Sequence, residues 1–373
     1  MRTELCERFG IEYPIFVFTP SEKVAAAVSK AGGLGVLGCV RFNDADDLEN
    51  VLQWMDENTD GKPYGVDIVM PAKVPTEGTS VDINKLIPAE HREFVDKTLA
   101  DLGVPPLPED DERSEGVLGW LHSVARSHVE VALKHPIKLI ANALGSPPKD
   151  VIDQVHAAGV PVAALAGSPK HALRHVENGV DIVVAQGHEA GGHTGEIGSM
   201  VLWPEIVDAL DGKAPVLAAG GIGTGRQVAA ALALGAQGVW MGSAFLTSAE
   251  YDLGVRLESG RSVIQEAMLK ATSADTVRRR IYTGKPARLL KSRWTDAWDA
   301  EGAPEPLPMP LQNILVSEAH QRMSQSADPT TVAMPVGQIV GRMNEIRPVA
   351  DIIAELVSGF EKATRRLDGI RGN

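Results

Sequence analysis

The stretch "PVLAAGGIGTGRQVAAALALGAQGVWMGS" (215–243) contains one complete repeat of strand, helix and strand. The runs "PVLAAGG" (215–221) and "GVWMGS" (238–243) are short and almost continuously apolar, whereas residues 224–234 have the composition of a buried helix. Strands that are apolar on both faces are typical of a parallel sheet covered by helices on each side. The stretch therefore predicts an α/β fold.

The same alternation extends back to the amino terminus and gives eight predicted strands, each followed by a helix or a loop. Eight such units within about 250 residues favour a (β/α)8 barrel, the TIM barrel fold, over a doubly wound open sheet. The predicted strands are residues 14–19, 35–40, 64–70, 137–144, 160–166, 181–187, 215–221 and 238–243.

Two segments interrupt or follow this rhythm. Residues 71–116, after the third predicted strand, hold six prolines and the acidic run "PEDDERSE", so we interpret them as an insertion with a short helix near "PAEHREFVDKTLADLG" (88–103). Residues 251–373 lack further strand–helix units and end in a predicted helix, "RPVADIIAELVSGFEKATRRL" (347–367). We therefore expect a barrel over 1–250, whose last strand ends by about Ser243, and a largely helical extension over 251–373 packed on it.

Composition excludes several classes of function. The net charge of −13 is unfavourable for nucleic acid, which needs clustered Lys and Arg. The uncharged run from Val228 to Leu246 is broken by glycines, so we expect a buried helix and strand and no membrane partner. Cys6 and Cys39 are too few for a disulfide framework, and "MRTELCERFGIEYP" has no apolar signal region. We expect a cytoplasmic protein and leave a homo-oligomer open.

Two glycine turns predict a phosphate site. The run "AAGGIGTG" (218–225) follows a strand and opens a helix, where free backbone N–H groups bind anions and glycine allows close approach. The next strand ends in "MGSAFLTS" (241–248), which offers a bare backbone and two hydroxyls. Loops after strands seven and eight of a barrel commonly form one phosphate site, although a tight turn alone would also explain the glycines. The candidate residues are Gly220, Gly221, Gly242, Ser243 and Thr247.

The run "GHEAGGH" (187–193) predicts a histidine beside a flat ring. Zinc is unfavourable here, because the spacing differs from the helical H-E-x-x-H pattern and Gly191 with Gly192 would disrupt a helix; we predict no metal. A buried structural histidine is the alternative. The position after the sixth strand, at the face where barrel enzymes have their active sites, favours His193 as a proton acceptor or charge stabiliser.

In this order, "EAGGH" (189–193), "AAGGI" (218–222) and "MGSAFLTS" (241–248) resemble the nitronate monooxygenase family. The segment "GKPARLLKSRWTDAW" (284–298) also resembles that family. The resemblance implies a (β/α)8 barrel, bound FMN, and oxidation of alkyl nitronates by O2 to a carbonyl compound and nitrite. The substrate partners would be a small molecule and O2.

The resemblance also implies roles for single residues. His193 corresponds to the catalytic histidine, and the two glycine turns correspond to the phosphate-binding turns. Gln186, Gly191 and Gly192 correspond to positions beside the flavin. Phe18 and Thr19 end the first strand where the flavin contacts it, and Asp67 stands where the family commonly has Asn.

The chain departs from the family on the side where the substrate would bind. Val17 to Pro20 replace a segment like Gln-Ala-Pro-Met, Asn142 and Ala143 stand where aromatics and a second histidine are frequent, and His188 is unusual. Two other functions therefore stay open: an FMN-dependent NAD(P)H reductase of enoyl thioesters or quinones, whose enoyl-reductase members also carry a Gly-Gly-His loop, and a flavin-binding protein without turnover.

Overall fold

The computed structural model describes residues 1–70, 83–107 and 122–371 and contains a closed barrel of eight parallel strands. The strands follow one another around the barrel in chain order, and the last pairs with the first. The predicted (β/α)8 fold is confirmed, and the eighth barrel strand ends before Ser243, as expected. The strands are β1 Ile15–Thr19, β2 Leu34–Gly38, β3 Tyr64–Asp67, β4 Ile140–Asn142, β5 Val162–Ala166, β6 Ile182–Gln186, β8 Val216–Ala219 and β9 Gly238–Met241, with a short β7, Gly192–His193, outside the barrel.

Helices connect the strands and cover the outside of the barrel. Several begin at side-chain caps, such as Ser21, Ser168 and Thr224, each of which accepts a backbone N–H of the first turn. The helices are α1 Glu4–Phe9, α2 Glu22–Lys30, α3 Ala45–Asn58, α4 Ala89–Asp101, α5 His122–Ala132, α6 Lys149–Ala157, α7 Pro169–Glu177, α8 Ser199–Leu210, α9 Gly225–Ala233, α10 Val263–Leu269, α11 Arg293–Trp298, α12 Leu311–Gln325 and α13 Val349–Ile370.

Side chains fill the barrel interior and close its amino-terminal end. Alternate strand residues such as Phe16, Leu34 and Leu217 point inward and form one apolar cluster. Helix α1, which the sequence analysis did not predict, adds Phe9 to this cluster, and its ring meets the edge of Phe16 with centroids 5.2 Å apart. The barrel interior is therefore filled from the amino-terminal end, and the loops at the carboxyl ends of the strands are where a site is expected.

The insertion packs on the carboxyl-terminal extension. Its predicted helix is present as α4, whose Val95 and Leu99 join an apolar cluster with Trp298 and Val316 of the extension. The acidic run "PEDDERSE" lies outside the described residues.

The extension contains strands as well as helices. β10, Thr276–Arg279, and β11, Ala287–Leu290, form an antiparallel sheet with β7, in which Ala287 pairs with His193. The expectation of a largely helical extension missed these strands, because four-residue runs containing Arg have no clear apolar period. No helix among the described residues has the length and apolarity needed to cross a membrane, and the run from Val228 to Leu246 is divided between α9 and β9.

Gly225 tests how the extension is attached, because it lies where α9 touches α13. A Cβ there would lie 2.1 Å from the carbonyl oxygen of Leu356 and 2.2 Å from the backbone nitrogen of Phe360. Backbone atoms cannot move aside as side chains do, so we expect Gly225→Ala to reduce the free energy of unfolding by about 1–3 kcal/mol. Urea unfolding would measure this loss.

Gly369→Ala is the matched control, because a Cβ at this helical glycine of α13 meets nothing within 4 Å. Alanine should stabilise that turn by up to about 1 kcal/mol. Equal small effects at both positions would contradict a close α9–α13 contact.

Candidate functional site

The carboxyl ends of β8 and β9 carry two glycine turns. After β8, Gly220 and Gly221 have φ of 99° and 69°, the left-handed region that glycine adopts without strain. The chain then enters α9 through Thr224, whose side chain caps the helix. After β9, Gly242 leads into a single 3-10 turn that begins at Ser243. Both turns expose backbone at one edge of the barrel, as a phosphate site requires.

These turns line a narrow cavity of about 80 Å³. It brings together seven of the residues predicted from the sequence: Phe18, Gln186, Gly191, Gly220, Gly221, Gly242 and Ser243. A Cβ on Gly221 or Gly242 would have no neighbour closer than 3.5 Å, so close packing does not require glycine at either position. The volume suits a phosphate-sized group rather than a whole dinucleotide or flavin.

Five predicted residues, Asp67 among them, lie outside this cavity. The buried Thr19 accepts a hydrogen bond from the backbone N–H of Ser21 (3.2 Å) and holds the start of α2. Thr247 is buried, and its carbonyl accepts the backbone N–H of Arg347. Gly192 and His193 belong to β7, one and two residues beyond the cavity wall.

The extension contributes part of the cavity wall, which the sequence analysis did not predict. The backbone N–H of Gly337 donates to Ser243 Oγ (2.9 Å), and that of Gln338 donates to the carbonyl of Glu189 (2.9 Å). A Cβ on Gly191 would lie 2.7 Å from the backbone of Val336, so the loop glycine is required by this close approach. The segment has no periodicity or motif that could have identified it. Further lining residues are Ala190, Ala219, Ile222, Trp240, Met241 and Ile339.

His193 is fixed by backbone pairing and by one hydroxyl. Its Nε2 lies 2.6 Å from Oγ1 of the fully buried Thr283, and its backbone pairs with β11. Burial lowers the pKa of His193 to about 4, and the nearby Lys285 adds to this effect. The imidazole is therefore neutral at physiological pH and able to accept a proton.

The second histidine of the loop has a structural environment. His188 Nδ1 lies 3.1 Å from the carbonyl of Gly195, and the backbone carbonyl of His188 accepts two hydrogen bonds from the Arg288 guanidinium. These contacts hold the loop closed over seven residues. In the part of the chain that the structure describes, no group of three His, Cys, Asp or Glu side chains is placed to bind a metal.

Asp67 lies at the carboxyl end of β3. Its side chain is 1% exposed, and among the described residues no group forms a hydrogen bond with its Oδ1. Burial raises the pKa of Asp67 to about 7. Asp67, which the sequence predicts to contact a cofactor, is therefore a buried carboxyl whose Oδ1 has no hydrogen-bond partner among the described residues.

A second, larger cavity of about 410 Å³ lies between the barrel and the extension. Tyr282, the neighbour of Thr283, forms part of its wall and stacks on the ring of His320 at 4.8 Å. The charged groups on its wall are paired: Arg41 with Glu22, and Asp252 with Lys23. Its size is that of a small-molecule site, and these pairs favour an uncharged occupant.

Comparison with known proteins gives one family and several close relatives. The family model described as nitronate monooxygenase matches residues 2–359. Rv1533 of Mycobacterium tuberculosis, provisionally described as a monooxygenase, is 46% identical over 99% of both chains. A probable nitronate monooxygenase of Staphylococcus aureus (strain Newman) is 27% identical over 96% of this chain and 97% of its own.

Solved structures resemble the whole chain. The nitroalkane oxidase from Streptomyces ansochromogenes is 26% identical with a TM-score of 0.78, and the match covers 97% of this chain and 99% of the oxidase. FabK from Thermotoga maritima is 28% identical with a TM-score of 0.74, covering 99% of each chain.

Gly221 tests the predicted phosphate site. A valine there would project beside the cavity where we expect a phosphate to approach the backbone, so Gly221→Val should purify without FMN. Valine at a φ of 69° is also strained, so the control must carry equal strain. Gly212→Val provides it, because Gly212 has a φ of 75° in an exposed turn before β8, where a Cβ meets nothing.

The ratio of flavin absorbance at about 450 nm to protein absorbance measures occupancy in both variants. We expect full occupancy in Gly212→Val and a loss of at least tenfold in Gly221→Val. Equal occupancy would place the phosphate elsewhere.

Proposed function

The chain belongs to the nitronate monooxygenase family of FMN-dependent oxidoreductases, and we propose that it oxidises alkyl nitronates with O2 to a carbonyl compound and nitrite. The observation that supports this reaction most directly is the neutral His193, held by Thr283 beside the glycine-lined end of the barrel. A neutral imidazole at this face can take a carbon-bound proton.

The residues present fit FMN. The cavity at Gly221 and Gly242 accommodates a phosphate on bare backbone, and a Cβ on Gly192 would meet nothing within 4 Å, which leaves room for a flat ring. Gln186 and Phe18, which also line the cavity, would contact the flavin from the barrel wall. When bound, FMN accepts electrons from the substrate and passes them to O2.

The chain's own groups act on the proton. His193 would accept the proton from the carbon next to the nitro group of a neutral nitroalkane, and the Thr283 hydroxyl would hold the ring in place. A nitronate has already lost that proton, so for this substrate His193 would stabilise charge rather than remove a proton. The backbone pairing of β7 with β11 keeps the imidazole at a fixed height above the barrel.

The larger cavity supplies space for the carbon chain of the substrate. Val40, Leu253 and Ile264 give it apolar surface, and its charged groups are paired with each other. An alkyl or aryl group of the substrate fits this environment better than a charged group such as a carboxylate would.

A second candidate function is reduction of an enoyl thioester by NAD(P)H. The similarity to FabK over the whole chain and the cavity beside Tyr282, whose charged groups are paired, support it. Stopped-flow mixing separates the two reactions: rapid flavin bleaching by NAD(P)H supports the reductase, whereas O2 uptake driven by propionate 3-nitronate or an alkyl nitronate supports the oxidase.

His193→Asn tests the role of the histidine. If His193 is the base, turnover of neutral nitroalkanes should fall by about 10²–10⁴-fold. Turnover of preformed nitronates should fall less, by roughly tenfold, because only charge stabilisation is lost. O2 uptake with both substrate forms measures the two effects.

His188→Asn is the control for that experiment, because His188 lies in the same loop and bonds only to backbone in the contacts described above. It should change both rates by less than about threefold. Equal small effects at 193 and 188 would make His193 structural, and a large loss at 188 alone would move the active histidine five residues upstream.

The length of the alkyl group of the nitronate tests the role of the larger cavity. Each methylene buried there should add about 0.8 kcal/mol, so kcat/KM should rise roughly fourfold per methylene from ethyl to pentyl nitronate. Ser317→Phe would fill space on the α12 side of the cavity and should remove this gradient while leaving ethyl nitronate turnover intact. If kcat/KM of the unmodified protein does not change from ethyl to pentyl nitronate, the alkyl group of the substrate lies outside this cavity.

A further inference from the structure

Asp67 is the only charged side chain among the residues that the structure assigns to the eight barrel strands. It is 1% exposed, and its Oδ1 has no hydrogen-bond partner in the described part of the chain. An isolated carboxylate in such a place is costly unless it is neutralised or paired. The position therefore needs either a proton or a partner that binds later.

The side chain of Asp67 faces the interior of the barrel. A Cβ on Gly65, two residues earlier on the same face of β3, would contact Leu34 and Leu139, which are both interior residues. On the neighbouring strand, Asp67 pairs in register with Gly38, and the ring of Phe18 lies against that glycine. Asp67 thus lies two strands away from Phe18, around the same interior wall.

Two strand spacings amount to about 10 Å, which is within the length of a three-ring flavin. Phe18 lines the cavity at the glycine turns, so a flat ring that extends from this cavity across the barrel end passes over Asp67. The neighbours of Asp67 in the sheet, Gly38 and Ala141, offer no side-chain donor.

We propose that Asp67 binds FMN as a neutral carboxylic acid that donates a hydrogen bond to the ring of the cofactor. The inference rests on FMN as the cofactor of the proposed function, but it does not depend on which substrate is oxidised. A protonated carboxyl has one donor and one acceptor, like the amide of Asn, whereas a carboxylate only accepts. Asp67 would therefore make the cofactor contact sensitive to pH.

The electrostatic surroundings agree with this assignment. Burial is the cause that raises the pKa of Asp67 to about 7, and no cation among the described residues opposes it. The titratable group beside it is the buried thiol of Cys39, which follows β2; burial raises the pKa of that thiol well above its ordinary value, so Cys39 stays neutral. The other groups packed around Asp67 on β2 and β4 are uncharged.

The test compares the unmodified protein with Asp67→Asn, which keeps the shape and cannot ionise. Apoprotein is titrated with FMN between pH 5 and pH 9, and the dissociation constant is read from flavin fluorescence quenching. The FMN phosphate has its own pKa near 6, so the informative quantity is the ratio of the two dissociation constants at each pH.

The ratio is the dissociation constant of the unmodified protein divided by that of Asp67→Asn. We expect it to be near 1 below pH 6 and to rise towards tenfold per pH unit above about pH 7, because the unmodified protein must take up a proton to bind. Asp67→Ser, also neutral and a donor, should bind FMN with the same pH dependence as Asp67→Asn, and it replaces the Asn variant if that variant folds poorly. A ratio that stays constant with pH, or that falls as pH rises, would overturn the proposal.

Unfolding of the apoprotein provides an independent readout. The carboxyl ionises near pH 4 when unfolded and near pH 7 when folded, so its cost appears as pH rises between these values and is complete above pH 7. Asp67→Asn should match the unmodified melting temperature near pH 4 and exceed it at pH 8. Identical curves would show that Asp67 has a partner in the free protein. Neither measurement involves turnover, so failure of nitronate oxidation would leave both results interpretable.

Discussion

The backbone pairing of β7 with β11 is the contact on which the geometry of the site depends. It joins the loop after the sixth barrel strand to the extension, with His193 opposite Ala287 and Gly192 opposite Arg288. Without it, a glycine-rich loop would leave the imidazole free to move, since glycine costs the most conformational entropy to order. Pairing with β11 holds the backbone of the loop in place. The hydroxyl of Thr283, in the connection between β10 and β11, then holds the ring itself. The extension is therefore part of the proposed active site.

The glycines divide into two groups with different physical roles. Gly35, Gly191 and Gly225 are required by packing, because a Cβ would lie 2.0–2.8 Å from backbone atoms of Ala25, Val336 and Leu356. A Cβ on Gly192, Gly221 or Gly242 would have no neighbour closer than 3.5 Å, although the positive φ of Gly192 and Gly221 itself favours glycine. The space at these three positions is compatible with a ligand that approaches the chain closely. This difference, invisible in the sequence, supports the placement of a cofactor at β8 and β9.

The features that follow from local sequence patterns were predicted correctly. The features that arise from pairing between distant segments were not predicted. The eight strands and the helices between them follow from apolar runs, caps and turn glycines, all of which are local signals. Helix α1 is six residues long and acquires its role only by packing against Phe16. β7, β10, β11 and Gly337 exist because distant segments pair, and their sequences contain no period that indicates it. Sequence motifs brought seven predicted residues to one cavity but could not show that the extension closes it.

Burial has the same effect on two ionisable side chains at the carboxyl end of the barrel. It lowers the pKa of His193 to about 4 and raises that of Asp67 to about 7, so it favours the uncharged form of both groups. A buried group in its uncharged form costs less to desolvate than a charged one, and any charge that develops on a bound ligand beside it is poorly screened by water. Such charge would interact strongly with a proton shared from either group. The chain thus places a proton acceptor and a proton donor on different strands of one face, an arrangement suited to a reaction in which negative charge moves between substrate and cofactor.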